Sequence, residues 1–307
     1  MTPSAEPGLA PQTPYAAGRL SARSSRQRLL FGRVYEDSEI ERSAFPSGGR
    51  VFCIASAGCT ALALCQEHDV VACDINPTQI DYVRRRLAGG GRELGSAERI
   101  MGMLRWLMPL AGWSHQRLVD FLALDAPAAQ LTVWRTELDT WRLRAGLSLL
   151  LSPLWLRGFY ASALLSCLPE RFDRVLLGRL KRNFARHANR TNPFARALLL
   201  GLEPDDAAPQ AAQPRGQLEL VASDAAAYLE RCSPASFVGF SLSNILDGAA
   251  AAYRARLFAA VRRAAAPGAR VVLRSFAEPD ARVFDNRAVE DRSMLWGIVD
   301  VRAVDTL

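Results

Sequence analysis

The stretch from residue 50 to residue 88 constrains the fold of this chain more than any other part. Two short apolar runs, RVFCIAS and DVVACDI, have the length and the flanking turn residues of buried strands. A helical segment follows each run, and the second helix has Asn76 as a good N-cap and Pro77 at its first position. The four segments are residues 50–56, 60–67, 69–75 and 76–88. This order of strand, helix, strand and helix predicts a parallel sheet.

The same alternation returns after residue 201 and continues to the C-terminus. We predict strands at 218–223, 237–243 and 269–276, helices at 224–232 and 249–265, and an antiparallel edge strand at 297–304. A turn at Pro267–Gly268 is expected before the strand at 269–276. Residues 26–88 and 201–307 are therefore predicted to form one Rossmann-like α/β domain.

Residues 89–200 interrupt the alternation with helical patterns and no clear strand, and they contain five of the six Trp residues. We predict a helical insertion. Its most apolar stretch, 146–168, has the length of a membrane span, but Pro153 and Arg157 fall near the middle. Two helices broken at Ser152–Pro153 are therefore expected rather than a span.

The ends and the composition of the chain exclude several classes of protein. Residues 1–25 are rich in Pro, Ser and Ala and are predicted to be a disordered leader, whereas residues 26–45 are predicted to be helical. The net charge of +7 comes from Arg residues that are spread along the chain. This favours a solvated surface or contact with anionic lipid and argues against nucleic acid. The six Cys form no C-x-x-C and no Cys/His cluster, so we expect no metal and a cytoplasmic location, with peripheral contact at the inner membrane face.

The turn after the first strand is the expected place for a ligand, because ligands of open α/β sheets bind beyond the carboxyl ends of the strands. Ser56, Ala57 and Gly58 form this turn. It has one Gly and lacks the G-x-G-x-x-G pattern, which argues against NAD or FAD. Gly58 also fits a turn that needs positive φ for structural reasons alone.

A carboxylate ends the second strand. Asp74 is placed to accept two hydrogen bonds from a ribose diol, and Asn76 follows at the start of the next helix. A helix cap or a surface charge is the alternative role for Asp74.

Seven segments resemble a known family and follow its order along the chain. They are LFGRVYEDSEIE (30–41), VFCIASAGCTALAL (51–64), VVACDINPTQIDYVRRRLA (71–88), NPFARALLLG (192–201), FVGFSLSNILD (237–247), ARVVLRSF (269–276) and DRSMLWG (291–297). The chain resembles the BtaA-type S-adenosylmethionine:diacylglycerol 3-amino-3-carboxypropyl transferases of betaine-lipid synthesis. The resemblance implies a class I methyltransferase-like fold that binds S-adenosylmethionine. The Trp-rich and apolar composition of the helical insertion predicts that it forms the acceptor pocket, and the core of a helical subdomain is the alternative role of these residues.

The resemblance also implies roles for polar residues near the other strand ends. Asp224 is expected to face adenine, with an ordinary N-cap as its alternative, and Ser241, Ser243 and Asn244 are expected to contact the cofactor. The catalytic candidates are Tyr35 as an orienting group and Asp37, Glu36 or Asp247 as the base, a choice that the sequence leaves open. Arg33 or the N–H groups of the turn are candidates for binding the carboxylate of the cofactor.

The acceptor implied by the resemblance is a hydroxyl group, on a diacylglycerol-type lipid or on a phenolic small molecule. An ordinary methyltransferase on the same scaffold is one alternative, because a fold does not determine which carbon of the cofactor is attacked. A cofactor-binding module without catalysis, docked on membranes through residues 146–168, is another.

Overall fold

The structure is a computed structural model that describes residues 28–159, 165, 167–201, 215–280, 283 and 285–307. The predicted leader at 1–25 and most of the loop predicted at 201–217 lie outside the described residues, as do residues 160–164 and 166 of the apolar stretch.

A six-stranded sheet in the order β3-β2-β1-β4-β5-β6 forms the centre of the molecule. Its strands are β1 Arg50–Ile54, β2 Asp69–Asp74, β3 Leu218–Ala222, β4 Phe237–Ser241, β5 Ala265–Ser275 and β6 Ile298–Ala303. The first five strands are parallel and β6 pairs antiparallel with β5, which confirms the predicted sheet and its antiparallel edge. The described residues therefore form an α/β fold compatible with a Rossmann-like sheet.

Helices cover both faces of the sheet. The helices are α1 Glu39–Ala44, α2 Cys59–Leu64, α3 Pro77–Leu87, α4 Ser96–Leu107, α5 His115–Leu122, α6 Pro127–Val133, α7 Trp141–Leu150, α8 Pro153–Phe159, α9 Phe172–Phe184, α10 Pro193–Leu199, α11 Ala225–Arg231 and α12 Ala251–Ala264. Phe52 packs with Leu229 of α11 and Leu257 of α12, whereas its neighbour Val51 packs with Ile40 of α1 on the other face. Alternate residues of a strand point to opposite faces, so a central strand covered on both sides is apolar throughout.

The helices between residues 96 and 199 pack around a core of their own. The ring centroids of Trp134 and Phe184 are 5.1 Å apart, and those of Trp113 and Trp134 are 5.9 Å apart. The described residues between 89 and 201 contain helices and no strand, as predicted. The boundaries of the insertion at 89 and 200 stay predictions.

The helix predicted at 26–45 is wrong over most of its length, because only Glu39–Ala44 is helical within the described residues 28–45. Side chains from α3 and α4 bind the backbone of residues 30–33 instead. Gln79 accepts hydrogen bonds from the N–H groups of Leu30 and Phe31, and Glu98 accepts from those of Gly32 and Arg33. Backbone groups satisfied in this way do not need a helix. We call residues 28–37 the crossing segment.

Two smaller features of the fold depend on proline. The turn expected at Pro267–Gly268 is instead an irregularity within β5, where the pairing with β4 shifts register between Phe237 and Gly239. In the apolar stretch, α7 ends at Leu150 and α8 begins at Pro153, as predicted. In the portions of the chain that the structure describes, no helix is both long and apolar enough to cross a membrane.

Candidate functional site

The strand order reverses between β1 and β4, and the residues just beyond these two strands are strained. Ser56 has a φ of 44° and Ser243 a φ of 52°, and residues with a Cβ rarely adopt such positive values. Their backbone groups are held in place: the carbonyl of Ser56 accepts from Gln79 Nε2 at 2.6 Å, and that of Ser243 accepts from Arg274 N at 2.8 Å. Strain of this kind concentrates at functional sites, and such a reversal is where α/β sheets bind ligands.

A cavity opens at this edge of the sheet, and we call it the sheet-edge cavity. Its polar lining combines residues at the ends of β1 to β4 with one residue each of α3 and α12: Ser56, Asp74, Gln79, Ser223, Asp224, Ser243, Asn244 and Tyr253. The apolar lining includes Leu30 and Phe31 of the crossing segment. Five of the predicted cofactor-binding residues therefore meet here: Ser56, Asp74, Asp224, Ser243 and Asn244.

Asp74 is held in the sheet-edge cavity by backbone donors. Its Oδ2 accepts from Ser56 N at 3.0 Å and its Oδ1 from Asn76 N at 2.9 Å. Burial raises the pKa of Asp74 to about 7, although the two hydrogen bonds oppose the shift. A carboxylate has about four lone-pair positions, so each oxygen retains one for a ligand hydroxyl.

Asp224 has a structural role as well as a place in the cavity wall. Its Oδ1 caps α11 at Ala227 N at 2.9 Å, and its Oδ2 accepts from the hydroxyl of Tyr253 at 2.5 Å. The N-cap that sequence suggested as an alternative role is thus present. The tyrosine fixes the carboxylate where it lines the cavity.

Gln79 is a site residue that our sequence reasoning did not select. Besides accepting from Leu30 and Phe31, it donates to the carbonyls of Phe31 at 3.1 Å and Ser56 at 2.6 Å. Asn76, three residues earlier, caps α3 at Thr78 N and donates to the carbonyl of Arg28 at 3.0 Å. The N-P-T-Q run after Asp74 was the sequence signal for both residues. The side-chain amides of its Asn and Gln join the crossing segment to the edge of the sheet.

A second cavity, of about 120 Å³, adjoins the first, and we call it the junction cavity. The two cavities share the wall residues Phe31, Ser56, Ser243 and Asn244. The crossing segment supplies most of the other polar wall through Arg33, Tyr35 and Glu36, and Met101, Phe276, Leu295 and Trp296 supply apolar wall. The two strained serines therefore lie in the wall that the two cavities share.

Glu36 is the carboxyl group of the junction cavity. Its Oε1 accepts a hydrogen bond from the Ser243 hydroxyl, and its Oε2 lies 3.5 Å from Arg274 Nη1. The buried Arg274 also pairs with Glu41 and Asp291, so three carboxyl groups surround one guanidinium. Burial raises the pKa of Glu36 to about 7, Arg274 opposes this shift and Glu41 adds to it. A carboxyl group with such a pKa is suited to accept a proton near neutral pH.

Two residues of the crossing segment present polar groups beside Glu36. The Tyr35 hydroxyl is buried and, among the described residues, has no hydrogen-bond partner. Burial and the charge of Glu98 raise the pKa of Tyr35 to about 12, so the hydroxyl stays protonated and able to donate. The guanidinium of Arg33 lies 5.4 Å from the ring centre of Phe194 and 5.9 Å from that of Tyr35.

The other two carboxylates considered as bases lie outside the walls of these cavities. Asp37 forms a two-point ion pair with Arg292, at 2.5 and 2.7 Å. Burial opposes the effect of Arg292, but its hydrogen bonds and charge hold the pKa of Asp37 below its usual value. Asp247 accepts from the Ser275 hydroxyl at 2.6 Å and from Phe276 N at 3.2 Å. Through these two hydrogen bonds, Asp247 positions the backbone at Ser275 and Phe276.

Four further predicted residues lie near the site without lining the two cavities: Ala57, Gly58, Asn76 and Ser241. Ser241 donates to Glu41 at 2.7 Å, within the buried cluster around Arg274. Gly58 is the N-cap of α2 and has a φ of 83°, and a Cβ there would lie 2.9 Å from a methyl group of Val83. The structural role of Gly58 is therefore clear, because both its conformation and its packing require glycine.

A third cavity, of about 330 Å³, lies inside the helical insertion, and we call it the apolar cavity. It shares Met101 and Leu295 with the junction cavity. Thirteen of its wall residues are leucines, and Arg105 and Arg142 are the charged ones. Sequence reasoning predicted an apolar acceptor region here and could not name its walls. Three adjoining cavities thus run from the sheet edge into the insertion.

Comparisons of the chain with family models, with curated proteins and with solved structures found no match.

Proposed function

We propose that this chain is an S-adenosylmethionine-dependent 3-amino-3-carboxypropyl transferase that acts on the hydroxyl of a diacylglycerol-type lipid and releases methylthioadenosine. The observation that carries the proposal is the row of three adjoining cavities: a polar one at the sheet edge, one with an acidic group at the junction, and an apolar one in the insertion. The family resemblance of the sequence motifs supports the same activity.

The adenosine part of the cofactor would occupy the sheet-edge cavity. Asp74 would accept hydrogen bonds from the ribose hydroxyls. Asp224 lines the same cavity and would lie beside adenine. The methionine part would pass between Ser56 and Ser243 into the junction cavity. There Arg33 and the unpartnered Tyr35 hydroxyl suit the carboxylate of the methionine part, since both offer N–H or O–H donors.

The reaction then needs in-line positioning and one proton acceptor. The sulfonium makes the γ-carbon of the methionine part electrophilic. The acceptor oxygen forms a C–O bond to this carbon, the C–S bond breaks, and its electron pair stays on the sulfur of methylthioadenosine. The hydroxyl proton passes to the carboxylate of Glu36, the base that the junction cavity favours over Asp37 and Asp247.

The acceptor would place its apolar portion in the apolar cavity. A wall of leucines with a volume of about 330 Å³ suits an acyl chain. A phenol would need only the junction cavity, at about 120 Å³, and would leave the larger space without a role. The size of the apolar cavity therefore favours a lipid acceptor.

Identification of the by-product tests the proposal. The chain is incubated with S-adenosylmethionine and diacylglycerol in mixed micelles, and the nucleosides are separated and identified by mass spectrometry. Methylthioadenosine together with a lipid that has gained an aminocarboxypropyl group is expected. S-adenosylhomocysteine would make the chain a methyltransferase, and cofactor binding without either product would favour a module without catalysis.

A further inference from the structure

Exposed apolar side chains concentrate on one part of the helical insertion. Of the ten large hydrophobic residues that are exposed in the described part of the chain, seven lie on α4, the turn at Met108–Ala111, α7 and α8. They are Met103, Trp106, Leu110, Trp141, Leu149, Leu154 and Trp155. We call these seven residues the docking face. Single exposed apolar residues are normal, whereas a group that includes three tryptophans indicates an interaction surface.

Two residues of the docking face line the apolar cavity. Leu110 is 73% exposed and Leu149 is 61% exposed, yet both line that cavity. The cavity therefore reaches the surface at these two leucines. Trp106 lies between Arg105 and Leu107 along α4, and both of these residues line the same cavity.

The charge around the docking face is positive. Residues 96–111 and 141–157 contain five Arg and one acidic residue, Glu98. Arg144 is paired with Asp139 at 2.8 Å, so the other four Arg supply the positive charge. The carboxylate of Glu98 is buried and accepts from backbone N–H groups, so it does not face a partner. The Arg142 guanidinium lies 5.7 Å from the ring centre of Trp141. Tryptophan beside arginine suits the headgroup region of a bilayer, where an apolar ring and a cation are both accommodated.

We propose that the docking face lies on an anionic bilayer and that the apolar cavity takes up an acyl chain directly from it. Anionic lipid complements the Arg residues, and the acyl region complements the exposed tryptophans and leucines. Docking depends only on this surface. The use of the captured chain by the reaction rests on the proposed function.

A second copy of the chain fits the docking face poorly. In a twofold interface the same patch meets itself, so the Arg residues of one copy would oppose those of the other. Like charges brought together in this way weaken association.

Vesicle sedimentation with the full chain tests the proposal. The vesicles contain phosphatidylcholine with about one third phosphatidylglycerol, and binding is compared with vesicles of phosphatidylcholine alone. We expect binding to the anionic vesicles that weakens as salt is raised, because salt screens surface charge. The double variant Trp106→Ser, Trp141→Ser should bind at least about tenfold more weakly, since two large apolar rings are lost from the contact.

The controls separate docking from folding and from catalysis. Trp106 and Trp141 are 81% and 75% exposed, so the double variant should keep the melting temperature of the parent. Leu87→Ser removes an exposed apolar residue outside the docking face and should leave vesicle binding unchanged. Turnover of a short-chain acceptor below its micelle concentration should be equal in parent and double variant. Absence of vesicle binding, equal binding by both chains, or a dimer that the double variant loses would each overturn the proposal.

Discussion

The edge of the sheet and the helical insertion differ in the walls that they offer to a ligand. At the sheet edge, polar side chains of Asp74, Gln79 and Asp224 are fixed by hydrogen bonds to backbone or to tyrosine, around a narrow cavity. In the insertion, leucines enclose a larger cavity with few polar groups. Fixed polar groups select one ligand orientation, whereas an apolar wall accepts ligands by size. The comparison suggests a cofactor held rigidly and an acceptor held loosely.

The largest expected effect lies where the two regions meet. Glu36→Gln should lower kcat by about 10²- to 10⁴-fold, because the proton acceptor is removed. The kcat of the parent should rise with pH through about 7, since the base must be ionised, and this rise should be absent from the variant. Steady-state assays of methylthioadenosine release across pH measure both effects.

Cofactor affinity separates a catalytic role of Glu36 from a structural one. Calorimetry should give nearly equal affinities for S-adenosylmethionine in parent and variant. Glu39→Gln, three residues further along at the start of α1 and with a side chain 55% exposed, is the matched control and should keep full activity. A Glu36→Gln chain with normal kcat and an unchanged pH profile would remove Glu36 as the base.

Two buried glutamines offer a matched test of the two regions. Gln79 binds the crossing segment and the turn after β1, whereas Gln130 binds the carbonyls of Phe184 and His187 in the insertion. Replacement of either by Ala should lower the free energy of unfolding by about 2–4 kcal/mol, because several buried backbone groups lose their partners. Denaturant unfolding measures this loss.

Cofactor affinity should distinguish these two variants. Gln79→Ala should bind S-adenosylmethionine at least about tenfold more weakly, since it releases the backbone that lines the cavity, and Gln130→Ala should bind it as the parent does. Equal affinities in both variants would mean that the crossing segment has no part in the cofactor site.

An effect on cofactor binding without a large loss of stability is expected at Asp74. Asp74→Asn should weaken S-adenosylmethionine binding by about 1.5–3 kcal/mol, because charge-assisted hydrogen bonds to ribose are lost. The ionised carboxylate is the better acceptor and burial raises its pKa to about 7, so affinity in the parent should increase as pH rises through that value. The variant should lack this increase in calorimetry. Asp81→Asn, exposed on the helix α3 that follows, should match the parent, and an unchanged affinity in Asp74→Asn would exclude the ribose contact.

The smallest effect on stability is expected in the insertion. Gly146 lies in α7 and lines the apolar cavity, and a Cβ there would meet no atom within 4 Å. Gly146→Leu should raise the free energy of unfolding by about 0.5–1 kcal/mol through helix propensity. It should also lower turnover of long-chain acceptors, because the new side chain occupies cavity space.

Gly178→Leu provides the matched control. Gly178 lies in α9, where a Cβ would also meet no atom within 4 Å, and it does not line the apolar cavity. It should show the gain in stability with unchanged turnover. Equal turnover of long chains by both variants would argue that the acyl chain does not enter the cavity.

The sequence predicted the sheet well, because short apolar strands between helices have few alternative arrangements. All six strands lie close to where they were predicted, and Ser56, Asp74, Asp224, Ser243 and Asn244 meet at one edge. The helix at 26–45 failed because hydrogen bonds from distant side chains, Gln79 and Glu98, decide the conformation of residues 30–33. Local propensity contains no information on such long-range partners.

The sequence could predict neither the base nor the walls of the acceptor region, because both depend on contacts between residues that are far apart in the chain. Glu36 and Asp37 are neighbours, yet one lies by Ser243 and Arg274 and the other pairs with Arg292, 255 residues away. Leucines at helical spacing look alike whether they fill a core or line a cavity. Only tertiary packing separates these cases.

A crystal structure of the protein with bound S-adenosylmethionine tests the central claim most directly. We expect adenosine between Asp74 and Asp224, and the methionine part beyond Ser56 and Ser243 with its γ-carbon facing Glu36. Adenosine bound elsewhere, or a methionine part directed away from the junction cavity, would contradict this account.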